Sequence, residues 1–147
     1  MRGMTIIVKR ITQLMTPSIF LLGVYVILHG HLTPGGGFAG GVLIAGAFVL
    51  LVLAFGLEET KSEIQKWHVS FSESLGIFLF WFLAVLGLIQ GTYFFYNMLA
   101  KGASAEPGQL FSAGIIPLCN LAIGIEVAAA LYAIFLTLAV LKMVEKL

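Results

Sequence analysis

The sequence predicts an all-α, polytopic membrane protein of four transmembrane helices with both termini cytoplasmic, and three observations carry that prediction. First, 60% of the 147 residues are hydrophobic and 10% are charged, with a mean hydropathy of +1.05; a soluble domain carries about 25% charged residues. Second, the charges are segregated. Ile11–Leu57 and Ser74–Ala100 hold none, and Pro107–Leu141 holds one, Glu126. Third, polar breaks divide these runs into four stretches near the ~20 residues that a helix needs to cross the hydrocarbon core. The same arithmetic excludes other classes. A net charge of +1 offers no basic field to nucleic acid. The one cysteine, Cys119, makes neither an intrachain disulfide nor a multi-cysteine metal centre. The length fits a single membrane domain, residues 1–147. No small-residue cleavage site follows the first apolar run, which is therefore expected to stay as an anchor.

The first helix is expected at about 12–30. A start at Thr16-Pro17 leaves too few residues to span, so the helix should begin earlier and kink at Pro17. The polar, glycine-rich stretch from His29 to Gly37 ends it, and a second helix follows at about 37–57. The third is expected at about 71–96, where Ser70-Phe-Ser-Glu73 has capping-box spacing and gives Glu73 a capping role. The fourth runs from about 117 to 141, with Pro117 suited to its first turn. Trp67, Tyr93 and Tyr96 fall near the expected interfaces, where amphipathic rings settle. Arg2, Lys9, Arg10, Lys61, Lys66, Lys142 and Lys146 lie on one side of these spans and Lys101 alone on the other. The positive-inside rule then puts both termini and the loop at 58–70 in the cytoplasm, and the glycine-rich turn and the loop at 97–116 outside.

Glu126 is the sharpest candidate. A carboxylate deep in a membrane helix costs about 2.5–3.5 kcal/mol on an insertion scale, so it should face protein or water. Ala122, Ala129, Ala130 and Ala133 share its face at helical spacing. Two readings stay open: a relay for protons or cations, and a buried acid that only fixes its helix to a partner. With no cation on the chain's own helices to pair with it, the partner is expected from another subunit.

The segment His29-Gly-His-Leu-Thr-Pro-Gly-Gly-Gly-Phe-Ala-Gly-Gly41 is the second feature. It lacks the strand and the Gly-Lys-Ser/Thr of a phosphate loop. Gly36/Gly40 and Gly37/Gly41/Ala45 instead make small-residue faces for close helix approach. His29 and His31 are two imidazoles without a third ligand, short of a metal site, and suit hydrogen bonding of the turn or pH sensing. Gly87 and Gly91 form a GxxxG pair, while Gln90 and Asn120 read as interhelical hydrogen bonders and Cys119 as a small buried hydrophobe. No nucleophile–base pair, paired carboxylates, cofactor motif or metal set can be assembled. The chain reads as a subunit, without a catalytic site, cofactor or metal of its own.

On the Thr33-Pro34-Gly35-Gly36-Gly37-Phe38 turn, and on Pro117-Leu-Cys-Asn-Leu-Ala-Ile-Gly-Ile-Glu126, the sequence resembles the MrpB/MnhB family. These are B subunits of Mrp-type Na+/H+ antiporters and of the antiporter-like module of archaeal membrane-bound hydrogenase and sulfane reductase complexes. The Asn120-Leu-Ala-Ile-Gly124 form looks more like the archaeal respiratory branch. The resemblance implies an accessory membrane subunit beside larger antiporter subunits, with Na+ and H+ exchanged at the level of the complex and the cell membrane as its place. It also implies that Pro34 and Phe38 matter for assembly or activity. The alternative is a small homo-oligomeric proton-coupled multidrug exporter, which would want aromatic rings beside its acid; the Glu126 face is alanine instead.

Overall fold

The computed structural model describes residues 4–56, 63–89, 93–100 and 113–144. They form four α-helices, α1 (Ile6–Leu28), α2 (Gly37–Phe55), α3 (Glu63–Ile89) and α4 (Ile116–Val144), with a 3-10 turn at Met98–Ala100 and, among the described residues, no strand. Each helix is long and apolar enough to cross a membrane. Even the shortest, α2 with 19 residues, rises about 29 Å, close to the ~30 Å hydrocarbon core. Within a helix every interior backbone group is satisfied, which is the condition for crossing lipid. The outer surface is correspondingly apolar: Ile7, Leu14 and Ile89 are each 72% exposed.

The helices pack in the order α1, α2, α4, α3, with a lighter contact between α1 and α4. The backbone of Met4 donates to the Ala54 carbonyl at 2.9 Å, tying the start of α1 to the end of α2, so these two are antiparallel. Gly37 meets Asn120, Gly41 meets Gly124 and Val127, and Val52 packs on Tyr132, so α2 and α4 run parallel. Gly76 meets Glu126 and Ala122 while Val69 packs beside Tyr132, which makes α3 antiparallel to α4. The start of α1 and the end of α4 therefore emerge at the same end of the bundle.

Glycine lets these helices meet backbone to backbone. A Cβ on Gly40 would stand 2.6 Å from the Gly23 carbonyl of α1, and one on Gly41 would stand 2.9 Å from the Gly124 carbonyl of α4. Adjacent glycines of α2 thus serve two different neighbours. The close helix approach expected of these small-residue faces is made inside the chain.

Three element limits differ from the sequence reading. α1 begins at Ile6 and takes in Lys9 and Arg10, and Pro17 lies inside it. Lys9 lays its ammonium over the Phe55 ring, 5.2 Å from the centroid. α3 begins at Glu63, well before Ser70, because Glu, Gln and Lys are good helix formers that carry it out past the apolar segment. The Ser70–Glu73 spacing therefore caps nothing: Ser72 Oγ donates to the His68 carbonyl at 2.8 Å inside the helix. α3 stops at Ile89, and residues 93–97 fold back along it. Phe95, with φ +61°, donates its N–H to the Ala84 carbonyl at 3.3 Å, and Tyr93 and Tyr96 lie against Gly87. Gly87 admits that returning segment. Gly91, Gln90, Lys61 and Lys101 lie outside the described residues.

Candidate functional site

Glu126 stands ten residues into α4, roughly 15 Å along the helix axis at 1.5 Å per residue. Its neighbours on the same face, Ala122 and Ala129, are buried, and Glu126 itself is half-buried. What covers it is α3. A Cβ on Gly76 would come within 2.7 Å of Glu126 Cβ, 2.8 Å of its amide nitrogen and 2.9 Å of the Ala122 carbonyl. Only a residue without a side chain lets α3 approach α4 there. The shielding expected from another subunit is supplied, on this side, by the chain's own third helix. Among the described residues no hydrogen bond or ion pair engages the Glu126 carboxylate.

The second carboxylate of the spans, Glu73, lies on the same contact. It sits one turn before Gly76 and lines a cleft of about 310 Å³ with Ala130, Ala133 and Thr137 of α4. Thr137 donates its hydroxyl to the Ala133 carbonyl at 2.9 Å. The α3–α4 contact therefore carries both acids against an alanine surface. Such groups can take up and release protons or hold a cation, and in lipid they do so only where protein or water covers them.

The glycine-rich turn is built on backbone freedom and on Asn120. His29 closes α1, accepting Thr33 Oγ1 on its carbonyl at 3.1 Å. Its ring stacks on Tyr25 with centroids 4.2 Å apart, and Nδ1 lies 3.1 Å from the Tyr25 carbonyl. Gly35 and Gly36 follow with φ +155° and +122°. Gly36, with ψ −170°, occupies a region open essentially to glycine alone and starts α2. The Asn120 side chain reaches this turn: a Cβ on Gly30 would lie 3.0 Å from its Nδ2 and one on Gly36 3.7 Å from its Oδ1. Gly37 packs on the Asn120 backbone. Asn120 and the Thr33–Phe38 turn, far apart in sequence, are thus one structural unit. Pro34 and Phe38 project from it, Phe38 being 66% exposed. His31 is half-buried, and among the described residues no group of three or more His, Cys, Asp or Glu side chains comes together. Cys119 is a half-buried free thiol.

Two residues were not singled out by sequence reasoning. Gly76 carries a faint signal, the Ser72/Gly76 small-residue spacing. Asn97 carries none, yet its amide donates to the Ala113 carbonyl and accepts from the Ile115 N–H, both at 3.0 Å. It pins the returning segment to the start of α4, where Gly114 turns with φ +66°.

These features define a multi-pass helical membrane protein with interior acids on one helix contact and a glycine-built turn at one end. The chain belongs to the MnhB family: the family model, described as a domain related to the MnhB subunit of Na+/H+ antiporter, matches residues 7–133. It is similar to an uncharacterised protein of Methanocaldococcus jannaschii, 38% identical over 130 residues, covering 86% of this chain and 49% of that one. It is also similar to a protein named as antiporter subunit mnhB2 in Staphylococcus aureus, 39% identical over 64 residues, 44% of this chain and 45% of the other. Among solved structures it matches a chain in the membrane-bound sulfane sulfur reductase, an archaeal respiratory membrane complex. There the identity is 38% and the TM-score 0.73, covering 88% of this chain and 56% of that chain. The chain spans about half the length of the curated relatives it matches.

Proposed function

We propose that this chain is an accessory integral-membrane subunit of a multi-subunit Mrp-type Na+/H+ antiporter module, of the kind built into archaeal respiratory complexes, and that it supports cation and proton translocation. The observation that carries this reading is the likeness, over 88% of the chain and at TM-score 0.73, to a chain of a respiratory membrane complex. The family model, of a domain related to the MnhB subunit of Na+/H+ antiporter, supports the Na+/H+ side of it, and the mnhB2 relative supports the antiporter side. The chain acts as one membrane domain in the cell membrane, with both termini cytoplasmic, in keeping with its basic residues. Its partners are other membrane subunits. Glu126 is the residue placed to take part in ion movement, with Glu73 one turn away on the same contact, and the Thr33–Phe38 turn with its exposed Phe38 is the assembly element. His29 and His31 serve the turn and Asn120 holds it to α4. The homo-oligomeric exporter is not favoured, since the family match lies with antiporter subunits.

Extraction of the tagged chain from its host membrane in mild detergent tests the reading. Co-elution with several further membrane subunits is the expected outcome. Elution as a homodimer and nothing else would overturn it in favour of the exporter.

A further inference from the structure

The contact between α3 and α4 repeats the contact between α1 and α2. In the first pair, a Cβ on Gly23 would stand 2.9 Å from the Gly40 carbonyl, 3.3 Å from the Ile44 nitrogen and 2.8 Å from the Ile44 side chain. In the second, a Cβ on Gly76 would stand 2.9 Å from the Ala122 carbonyl, 2.8 Å from the Glu126 nitrogen and 2.7 Å from Glu126 Cβ. Both pairs are antiparallel, and both set one glycine against two positions a turn apart on the second helix. Gly23 therefore corresponds to Gly76, Gly40 to Ala122 and Ile44 to Glu126. The second helices of the two pairs, α2 and α4, run parallel, as they must if one pair is the other turned about an axis along them.

The correspondence holds one turn further. Three residues before the glycine stand Phe20 and Glu73, and four residues after Ile44 and Glu126 stand Phe48 and Ala130. In the first pair Phe20 and Phe48 meet edge to face, with centroids 6.1 Å apart. In the second, Glu73 and Ala130 line the cleft of about 310 Å³, which is large enough to admit water. The same helix approach is thus made once with Ile and two Phe rings, and once with two acids and an alanine. Packing asks for a carboxylate at neither position, since the first pair closes without one. Acids that a membrane helix carries at a cost, and that its packing does not need, mark a route for protons or ions.

We propose that the molecule builds one helix pair twice, with α1–α2 as scaffold and α3–α4 adapted to pass protons between Glu73 and Glu126. Glu73 lies about 4.5 Å along α3 from Gly76, the residue that touches Glu126, and Glu126 stands one turn before Ala130. One acid gives its proton, through water in the cleft, to the carboxylate of the other, which becomes the acid in turn. Resting on the transport reading above, this assignment adds Glu73 to the route and removes both acids from the work of holding the helices together.

The first pair supplies the variants that test it: Glu126→Ile, and Glu73→Phe combined with Ala130→Phe. Each is made in the whole complex, and its thermal midpoint and its proton flux into vesicles, read with a pH-sensitive dye, are compared with wild type. The expected result for both is an assembled complex with a midpoint no more than about 2 °C below wild type, and a proton flux lowered about tenfold or more. Loss of assembly, or a midpoint that falls further, means that the acids hold the helices and overturns the proposal. So does a flux that stays near wild type in either variant. A wild-type complex that passes protons without any dependence on Na+ overturns the antiporter reading alone, whereas one that passes no protons overturns both.

Discussion

Glu126 and Gly76 make their case as a pair. The acid is legible in the sequence because it is the one charge in a long apolar run, and any side chain costing several kcal/mol to insert advertises itself. The glycine that lets α3 close over it is not legible: a lone glycine in an apolar helix carries no record of which helix it will meet. Geometry separates the relay reading from the structural one through Glu126→Gln. Glutamine has nearly the same shape, so the contact at Gly76 survives and the complex assembles with its thermal midpoint within about 2 °C of wild type. The loss of a titratable proton should still depress Na+/H+ exchange by about tenfold or more. The check is ion flux in vesicles beside a stability measurement on the same preparation. Undiminished exchange would leave the carboxylate a purely structural role.

At the scale of elements, the turn between α1 and α2 shows what the sequence can and cannot announce. Pro34 and three following glycines say that the chain bends, and apolar runs on both sides say where. They do not say that Asn120, on the fourth helix, is the group the bend wraps, because that partnership crosses more than eighty residues. Helix limits were blurred for a related reason. Hydropathy marks where lipid ends, but α3 continues through Glu63–Lys66 in helix-forming polar residues, and the aromatic run Tyr93–Tyr96 expected to extend it folds back along it instead. The conformation of Gly36 makes a sharp expectation. Alanine at that position meets a backbone region costing about 1–3 kcal/mol for any residue with a side chain. Gly36→Ala should lower the thermal midpoint by roughly 4 °C or more, measured by circular dichroism in detergent. An unchanged midpoint would mean that the turn relaxes freely.

For the whole molecule, the four-helix class was legible from charge segregation together with the polar break at His29–Gly37, while the order in which the helices pack was not. Many orders satisfy the same hydropathy. The glycines choose among them, since Gly40 and Gly41 face α1 and α4 and Gly76 faces Glu126. The resulting directions put residue 4 and the end of α4 at one end of the bundle and the Thr33–Phe38 turn at the other. In a Cys119→Ser background, Met4→Cys should react with a membrane-impermeant maleimide only in inverted vesicles, and Thr33→Cys only in intact cells. The opposite pattern would reverse the orientation assigned from the basic residues.

Where α2 touches α1 and α4, main chain closes on main chain at Gly23, Gly40, Gly41 and Gly124, and Ile27, Ile44 and Val127 fill the space beside them. Contacts this close leave little to compress. A displacement of α4 would pass to α1 through these contacts, so the three helices are built to move together, as a strut would.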